Sequence, residues 1–391
     1  MADSTAIVSG AGPAGLAAAI LLAKEGLNTA LISPPPLLDD QRTTALMDPA
    51  IKLLRYIDIW SGKLAEKCAP LRELHLVDDM DGYLSAPTLA FKAKELELDA
   101  FGYNVPLALL VPALHQRAAQ VGVRFIVEKA VDARASAEDI TVSTQSGKLI
   151  TAQVLLIADG ADSVLRQKLG FALDVKVLDQ MAMVTMFDHS GPHHNVSTEF
   201  HKKGGPFTTV PLPGNRSSLV WMASPEKIRA LMELDKKDLA TEIQLETRGS
   251  LGRISSVATP RSFEMKTQNA HPLAKNRALL IGEAGHQLTP IGAQGLNLSL
   301  RDAAVAADLI VGAADAGAQS ICTDYNKQRR LEVTGRLAAT GFLNSSLMSG
   351  FEAMHFARVA GLAAIALVPP LRREALSKGL YPPGPLPFSM R

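Results

Sequence analysis

Residues 6–9, Ala-Ile-Val-Ser, form a short unbroken apolar run that ends at Gly10. A run of that length before a glycine predicts a buried strand. Residues 16–25 are rich in Ala and Leu and predict a helix, closed by Gly26 in the manner of a C-cap. Residues 27–33 predict the next strand. Strand, turn, helix and strand thus follow one another within roughly 30 residues, the spacing of one unit of a nucleotide-binding frame.

Pro34-Pro35-Pro36 interrupts the pattern. Residues 44–60 carry apolar side chains at Leu46, Ile51, Leu53, Leu54 and Ile57, which predicts a helix. Residues 71–100 alternate in short runs and predict strands. A helix follows over 111–120, then strands over 123–127, 140–144 and 153–157, the last entering Ala158-Asp159-Gly160. Residues 181–225 are β-rich with Gly and Pro turns. Residues 225–248 predict a helix, 256–266 a strand, and 278–281 a short apolar strand running into Gly282. From Gly295 the chain is helical almost to its end. The longest apolar run there, 359–368, stops at Pro369-Pro370, short of the roughly 20 residues a membrane-spanning helix needs. The N-terminus has no basic segment ahead of its apolar run, so no secretory signal is expected. The expectation is a cytoplasmic chain, soluble or peripheral on the inner membrane face.

Composition narrows the class. At 391 residues the chain is too long for one ordinary core, so two packed domains or an inserted domain are expected. Apolar residues at 47% and charged residues at 20% exclude general disorder. A net charge of +1 argues against a nucleic-acid binder. Cys68 and Cys322 lie far apart and suit a reducing compartment.

Gly10-x-Gly12-x-x-Gly15 has a mechanical task at each glycine. The first permits a tight turn, the second lets backbone approach a pyrophosphate, and the third packs helix on strand. Pro13 and Ala14 fill the turn between them, and the free N–H groups of the helix start would face the phosphates. An acidic residue is expected at the end of the second strand to bond a ribose. Ser33 stands there instead and can make one uncharged hydrogen bond.

Three further segments carry a resemblance. Residues 40–46, DQRTTAL, resemble the D-x-R-x-x-A-L segment of the FAD-dependent aromatic hydroxylases. Residues 158–166, ADGADSVLR, resemble their A-D-G-x-x-S motif. Residues 277–302, RALLIGEAGHQLTPIGAQGLNLSLRD, are similar to their second flavin motif, G-D-A-A-H-x-x-x-P-x-x-G-Q-G-x-N. Within that family the chain resembles the ubiquinone-biosynthesis hydroxylases, whose C-terminal segment is similar to residues 343–382. The sequence departs from the pattern at Glu283, where Asp is usual, at Gly285 in place of Ala, and at Leu107 in place of Asn.

The resemblance implies an α/β fold: an FAD/NAD(P)-binding Rossmann-like (GR2-type) domain, an inserted β-rich substrate domain and a helical C-terminal tail. It implies an FAD-binding domain over 1–75, 101–178 and 269–335, a substrate domain over 76–100 and 179–268, and a tail over 336–391. It implies FAD contacts at Gly10, Gly12, Pro13, Ala14, Gly15, Ser33, Arg42, Asp159, Gly282, Glu283, Gly292, Gln294, Gly295, Leu296 and Asn297. Pro290 would lie near the flavin ring, and His286 is a further, weaker catalytic candidate. The implied reaction uses NAD(P)H and O₂ through a C4a-hydroperoxyflavin to hydroxylate a polyprenylated phenol. The cofactor carries the hard chemistry, which accounts for a sequence with no evident nucleophile or metal site. Two other readings stay open: a hydroxylase of another aromatic substrate, and a scaffold within a quinone-biosynthesis assembly. A plain NAD(P)-dependent dehydrogenase would explain 10–15 but leave 277–302 without a role.

Two clusters remain. His189, His193, His194 and His201 fall within 13 residues, but Ser190-Gly191-Pro192 forbids a helix that would align them, so a solvated loop without metal is expected. Residues 336–391 hold Arg336, Arg358, Arg372, Arg373, Lys378 and Arg391 against Glu352 and Glu374. That excess beside the apolar 359–368 fits contact with an anionic membrane face or packing as a core helix. Residues 229–238 read as a solvated charged face.

Overall fold

The computed structural model describes residues 4–35, 40–80, 86–348, 352–381 and 384–391. Its main elements are β1 (Ser4–Ser9), α1 (Pro13–Lys24), β2 (Thr29–Ile32), β3 (Thr43–Met47), α2 (Asp48–Tyr56), β4 (Leu149–Ile157), β5 (Ala172–His189), β6 (Arg261–His271) and β7 (Ala278–Leu280). Four long helices close the chain: α3 (Gly295–Ile310), α4 (Gln319–Met348), α5 (Glu352–Leu367) and α6 (Pro369–Leu380).

The first sheet has a parallel centre. β1 lies between β4 and β2, with Ala6 opposite Val154 and Ile7 opposite Ala30. β7 extends it on the far side of β4, and Arg124–Ile126 extends it beyond β2. Ala6, Ile7 and Val8 have no exposed surface, and α1 packs against β1. Leu16 to Leu22 of α1 are buried likewise, which explains why that helix shows no polar stripe.

The second sheet is largely antiparallel. β5 runs beside β6 on one side and Arg216–Ala223 on the other, followed by Gly205–Leu212 and Val196–Lys202. Glu73–Asp79 joins parallel to Val196–Lys202, and His286–Gln287 caps the opposite edge against β6. Met183, Phe187, Phe207 and Trp221 pack on one face beneath the helices Pro225–Glu233 and Lys236–Glu246. Ala182, Met222 and Met265 lie in a separate cluster with Ile291. The boundaries expected at 75/76 and 178/179 fall inside Glu73–Asp79 and β5.

Several elements differ from expectation. Residues 44–47 belong to β3, paired with Gly102–Pro106, and the helix begins only at Asp48 with Pro49 in its first turn. β-Branched Thr43 and Thr44 favour the strand, and Pro49 fits only a helix start. The helix expected over 225–248 is two helices, because the Asp235 carboxylate caps a second one, accepting from Lys237 N and Asp238 N at 2.8 Å each. The strand expected over 256–266 is likewise two, Ile254–Val257 and β6, separated by a segment containing Pro260, which has no N–H for a ladder. The strands expected over 71–100 include residues 81–85, which lie outside the described residues.

The histidine cluster is a solvated turn only at His194, which is exposed; His189 and His201 are buried in strands. His189 is 4% exposed and bonds Gly191 O at 2.7 Å and Ser217 Oγ at 3.0 Å. His201 is 1% exposed against Glu199 at 2.8 Å. The strands around both rings bury them; both ring nitrogens of His189 are bonded, whereas His201 Nδ1 has no partner among the described residues. The C-terminal cations are also largely spoken for. Arg358 pairs with buried Asp78 at 2.7 Å, Arg372 with Glu95 at 2.7 Å, and Lys378 with Glu374 at 2.8 Å. The expected free basic face is therefore much reduced, and residues 358–376 are stapled to the second sheet and the turn after it. Arg229, Lys236, Lys237 and Asp238 are exposed.

Candidate active site

The turn between β1 and α1 is shaped by close backbone approach. A Cβ on Gly10, whose φ is +110°, would stand 2.2 Å from Ala158 O. One on Gly15 would stand 2.1 Å from Gly10 O. Neither position can carry a side chain. Gly12 differs: nothing lies within 4 Å of where its Cβ would be, so the space above the turn is open. Gly12 is also the N-cap of α1 and offers no side chain to the first N–H groups, while Pro13 and Ala14 begin the helix. The result is an open cradle of unspent donors, suited to an anionic group.

Arg42 lies within electrostatic reach of Glu283. Arg42 holds Asp40 at 2.6 Å yet keeps over half of its side chain exposed. Its proton is held more tightly than usual, first by the bond to Asp40 and more weakly by Glu283. Glu283 is exposed. Asp159 lies half-buried at the end of β4 with Oδ1 lacking a partner. Burial raises its pKa, against the hydrogen bond from Ser163. Ser33 gives its hydroxyl to Pro34 O at 2.8 Å.

The segment 282–297 is held from behind. Asp302, 1% exposed, accepts from Gly282 N at 2.9 Å, meets His286 Nε2 at 2.6 Å, and accepts from Arg329 Nε at 2.7 Å. Burial alone would raise its pKa, but His286 and Arg329 more than offset that and lower it. Arg329 continues to Glu332, which also neighbours Arg301 at 3.4 Å and Arg336 at 3.5 Å. Burial lowers the Arg301 pKa to about 10 despite Glu332. Arg336 donates to Gln294, and Gln294 donates to Gly292 O at 2.9 Å. One chain of charges therefore runs from Gly282 to Gly292.

Asn297 is spent as well. It accepts from Met47 N at 2.8 Å and donates to Ala45 O at 2.8 Å and Ala293 O at 2.7 Å. It stitches β3 to α3. What Gly292 to Leu296 leave free is backbone: α3 starts at Gly295 with no side-chain cap and no acid in its first turn. Such an end carries partial positive charge. His286 is 2% exposed and tied to Asp302 at 2.6 Å.

Thr289 helps to line a cavity of about 380 Å³, a volume typical of small-molecule sites. It is lined by Leu178, Gln268, Asn269, Thr289, Leu337 and Asn344. These come from β5, β6, the segment before α3, and α4.

The model of the FAD binding domain family matches residues 3–339. The chain belongs to that family. Among its relatives is the ubiquinone hydroxylase UbiL of Rhodospirillum rubrum, 27% identical over 94% of this chain and 87% of that one. Another is the 3-demethoxyubiquinol 3-hydroxylase of Escherichia coli, 28% identical over 95% of this chain and 97% of that one. In fold, p-nitrophenol 4-monooxygenase PnpA from Pseudomonas putida superposes with a TM-score of 0.77 at 17% identity, over 96% of this chain and 98% of its own. HpxO of Klebsiella pneumoniae, complexed with FAD, superposes with a TM-score of 0.76 at 19% identity, over 97% and 100%.

The chain is thus an FAD-binding protein with an α/β flavin fold. Its cradle fits FAD. The open space above Gly12 and the uncapped starts of α1 and α3 are what a pyrophosphate and an electron-rich ring edge require. Sequence reasoning missed Asp302, Arg329, Glu332 and Arg336. Asp302 lies on α3; for Arg329, Glu332 and Arg336 the signal was present as charges at three- and four-residue spacing on one face of α4.

Proposed function

We propose that this chain hydroxylates the aromatic ring of a polyprenylated phenol in ubiquinone biosynthesis, with NAD(P)H as transient electron donor and O₂ as oxidant. The observation that carries the reading is the cavity that Thr289 helps to line, within a chain that aligns nearly end to end with two ubiquinone-pathway hydroxylases. Bound FAD supplies the oxygen-activating chemistry. The chain's own residues bind, orient and exclude water. In this reading the N–H groups above Gly12 and at the start of α1 take the pyrophosphate, with Gly10 and Gly15 shaping the turn. Arg42, Glu283 and Asp159 take the ribityl and ribose side. Backbone of Gly292, Ala293, Gln294, Gly295 and Leu296 takes the ring edge, where the α3 start favours negative charge. The side chains of Gln294 and Asn297 hold that loop from within and do not touch the cofactor. Ser33, already bonded to Pro34 O, contributes little.

Among the described residues no helix is long and apolar enough to cross a membrane. Leu367 is 78% exposed, and Val368 and Leu371 flank it beside exposed Arg373. We take this corner, within 336–391, as the peripheral contact with a membrane holding a lipid substrate, or with other quinone-biosynthesis proteins.

The test is direct. Purified protein should carry yellow FAD, oxidise NAD(P)H faster when a prenylphenol is added, and release hydroxylated product. A deletion strain should accumulate the ring-unhydroxylated precursor. Unchanged quinone and precursor levels would overturn the pathway assignment.

A further inference from the structure

The ring cavity contains two polar groups that the fold leaves unspent. Thr289 is 1% exposed and Asn344 is 5% exposed, and both line it. Thr289 Oγ1 and Asn344 Oδ1 have no hydrogen-bond partner among the described residues. Leaving such atoms unpaired is costly, and at a cavity wall the cost points to a ligand that pairs them. Gln268, on the same wall, is not available. With its amide turned to satisfy both ends, it donates to Ala161 O at 3.1 Å and accepts from Lys266 Nζ at 3.2 Å.

The orientation of Asn344 follows from an anchored relay. Gly204 O can only accept, so the Gln180 amide nitrogen must face it, at 2.9 Å. Gln180 Oε1 is then the atom left to face Asn344, whose Nδ2 donates to it at 2.6 Å. The free end of Asn344 is therefore its oxygen, an acceptor that nothing local can turn over. Gln180 reaches this position because β5 bulges. The pairing with β6 jumps from Val177 opposite Lys266 to Met181 opposite Glu264, three residues against one. Bulges next to sites re-aim side chains in this way.

We propose that Asn344 Oδ1 and Thr289 Oγ1 together receive the ring hydroxyl of the substrate, and so decide which ring carbon is presented at Pro290. This rests on the hydroxylase reading above. A phenolic hydroxyl offers one proton and lone pairs. Asn344 accepts the proton's hydrogen bond, and the Thr289 hydroxyl, free to rotate, donates to a lone pair. A phenol pairs both groups, whereas a methyl ether or a ketone strands Asn344. Accepting from the O–H also leaves more electron density on the phenol oxygen, which enriches the ortho and para carbons that an electrophilic oxygen attacks. Asn344 and Thr289 are positioning residues: they act on the ring through its substituent.

The experiment uses the full-length, FAD-loaded protein. A 2-prenylphenol and its methyl ether are titrated separately, following the flavin absorbance change. The wild-type protein should bind the phenol roughly tenfold more tightly than the ether. Asn344→Leu should bring the ratio towards one while retaining FAD, whereas Thr289→Val should weaken phenol and ether alike and Thr289→Ser should restore both. If Asn344→Leu fails to fold, Asn344→Ala carries the test. Equal binding of phenol and ether by the wild type overturns the receptor and leaves the hydroxylase reading standing. So does a preference that survives in every Asn344 variant that folds. If neither compound perturbs the flavin, the hydroxylase reading falls and the receptor with it.

Discussion

The cofactor cradle and the ring cavity are built on opposite principles. The cradle is made largely of backbone, from two contiguous motifs, and the side chains behind its second wall are bonded to one another. Gly10, Gly12 and Gly15 shape it within one turn, and Asp302, Arg329, Glu332 and Arg336 fix its second wall from behind. The cavity is made of side chains from four separate elements, and polar atoms at its wall are left unpaired. One region is finished before its ligand arrives. The other is complete only with it. A common cofactor can be met by a fixed frame, whereas discrimination between substrates needs groups that suffer when the wrong one binds.

The contrast can be broken first at the buried charges. Asp302→Ala strips the partner from Arg329 and His286 inside the core, and should cost about 3–5 kcal/mol. Thermal unfolding of apo and FAD-loaded protein checks this. The same carboxylate sets an acid limit. Its pKa is lowered in the fold, so its stabilisation is present above the ordinary value of 3.8 and is lost as pH falls through the depressed one. Melting should therefore shift more steeply with acid in the wild type than in the variant.

The glycines separate shape from ligand. Gly10→Ala meets Ala158 O and should weaken both the apo fold and FAD binding, the latter roughly a hundredfold. Gly12→Ala enters open space, so the apo protein should melt as before while FAD affinity falls. Equal effects of the two would erase the distinction between a framework glycine and a clearance glycine. A change confined to the cavity should do the converse. Leu178→Trp should keep bound flavin and raise the KM for a prenylphenol roughly tenfold, as read by steady-state NAD(P)H oxidation.

The smallest effect is at Cys68, buried in the core of the cofactor domain. Burial pushes its thiol pKa up from 9.0 to about 12. The raised value makes its contribution to stability whole below pH 9.0 and progressively lost as pH climbs towards 12. Alkylation of Cys68 should be slow in the folded protein and fast after unfolding.

How much of this was legible follows the same division. The cradle was readable because glycine spacing encodes backbone geometry directly, and the 277–302 motif is contiguous. The elements were readable where apolar runs were long, and misread where a Pro or a capping Asp cut a run, as at Asp48-Pro49, Asp235 and Pro260. The cavity was not readable. Gln180 and Asn344 are 164 residues apart and meet where β5 bulges out of register with β6. The histidines misled because period and spacing say nothing about which strands will cover a ring.

The second motif belongs to both sheets at once. β7 is a strand of the parallel sheet, and six residues after its end His286 pairs with Asn269 at the edge of the antiparallel one. This limits how the molecule can be recombined. A chimera that imports a substrate sheet from a relative, with junctions near 178 and 268, would cut β5 within its ladder and give His286–Gln287 a foreign neighbour. Exchange should succeed only when the edge strand travels with its sheet. In this architecture the natural unit of inheritance for ring specificity therefore includes part of the cofactor motif.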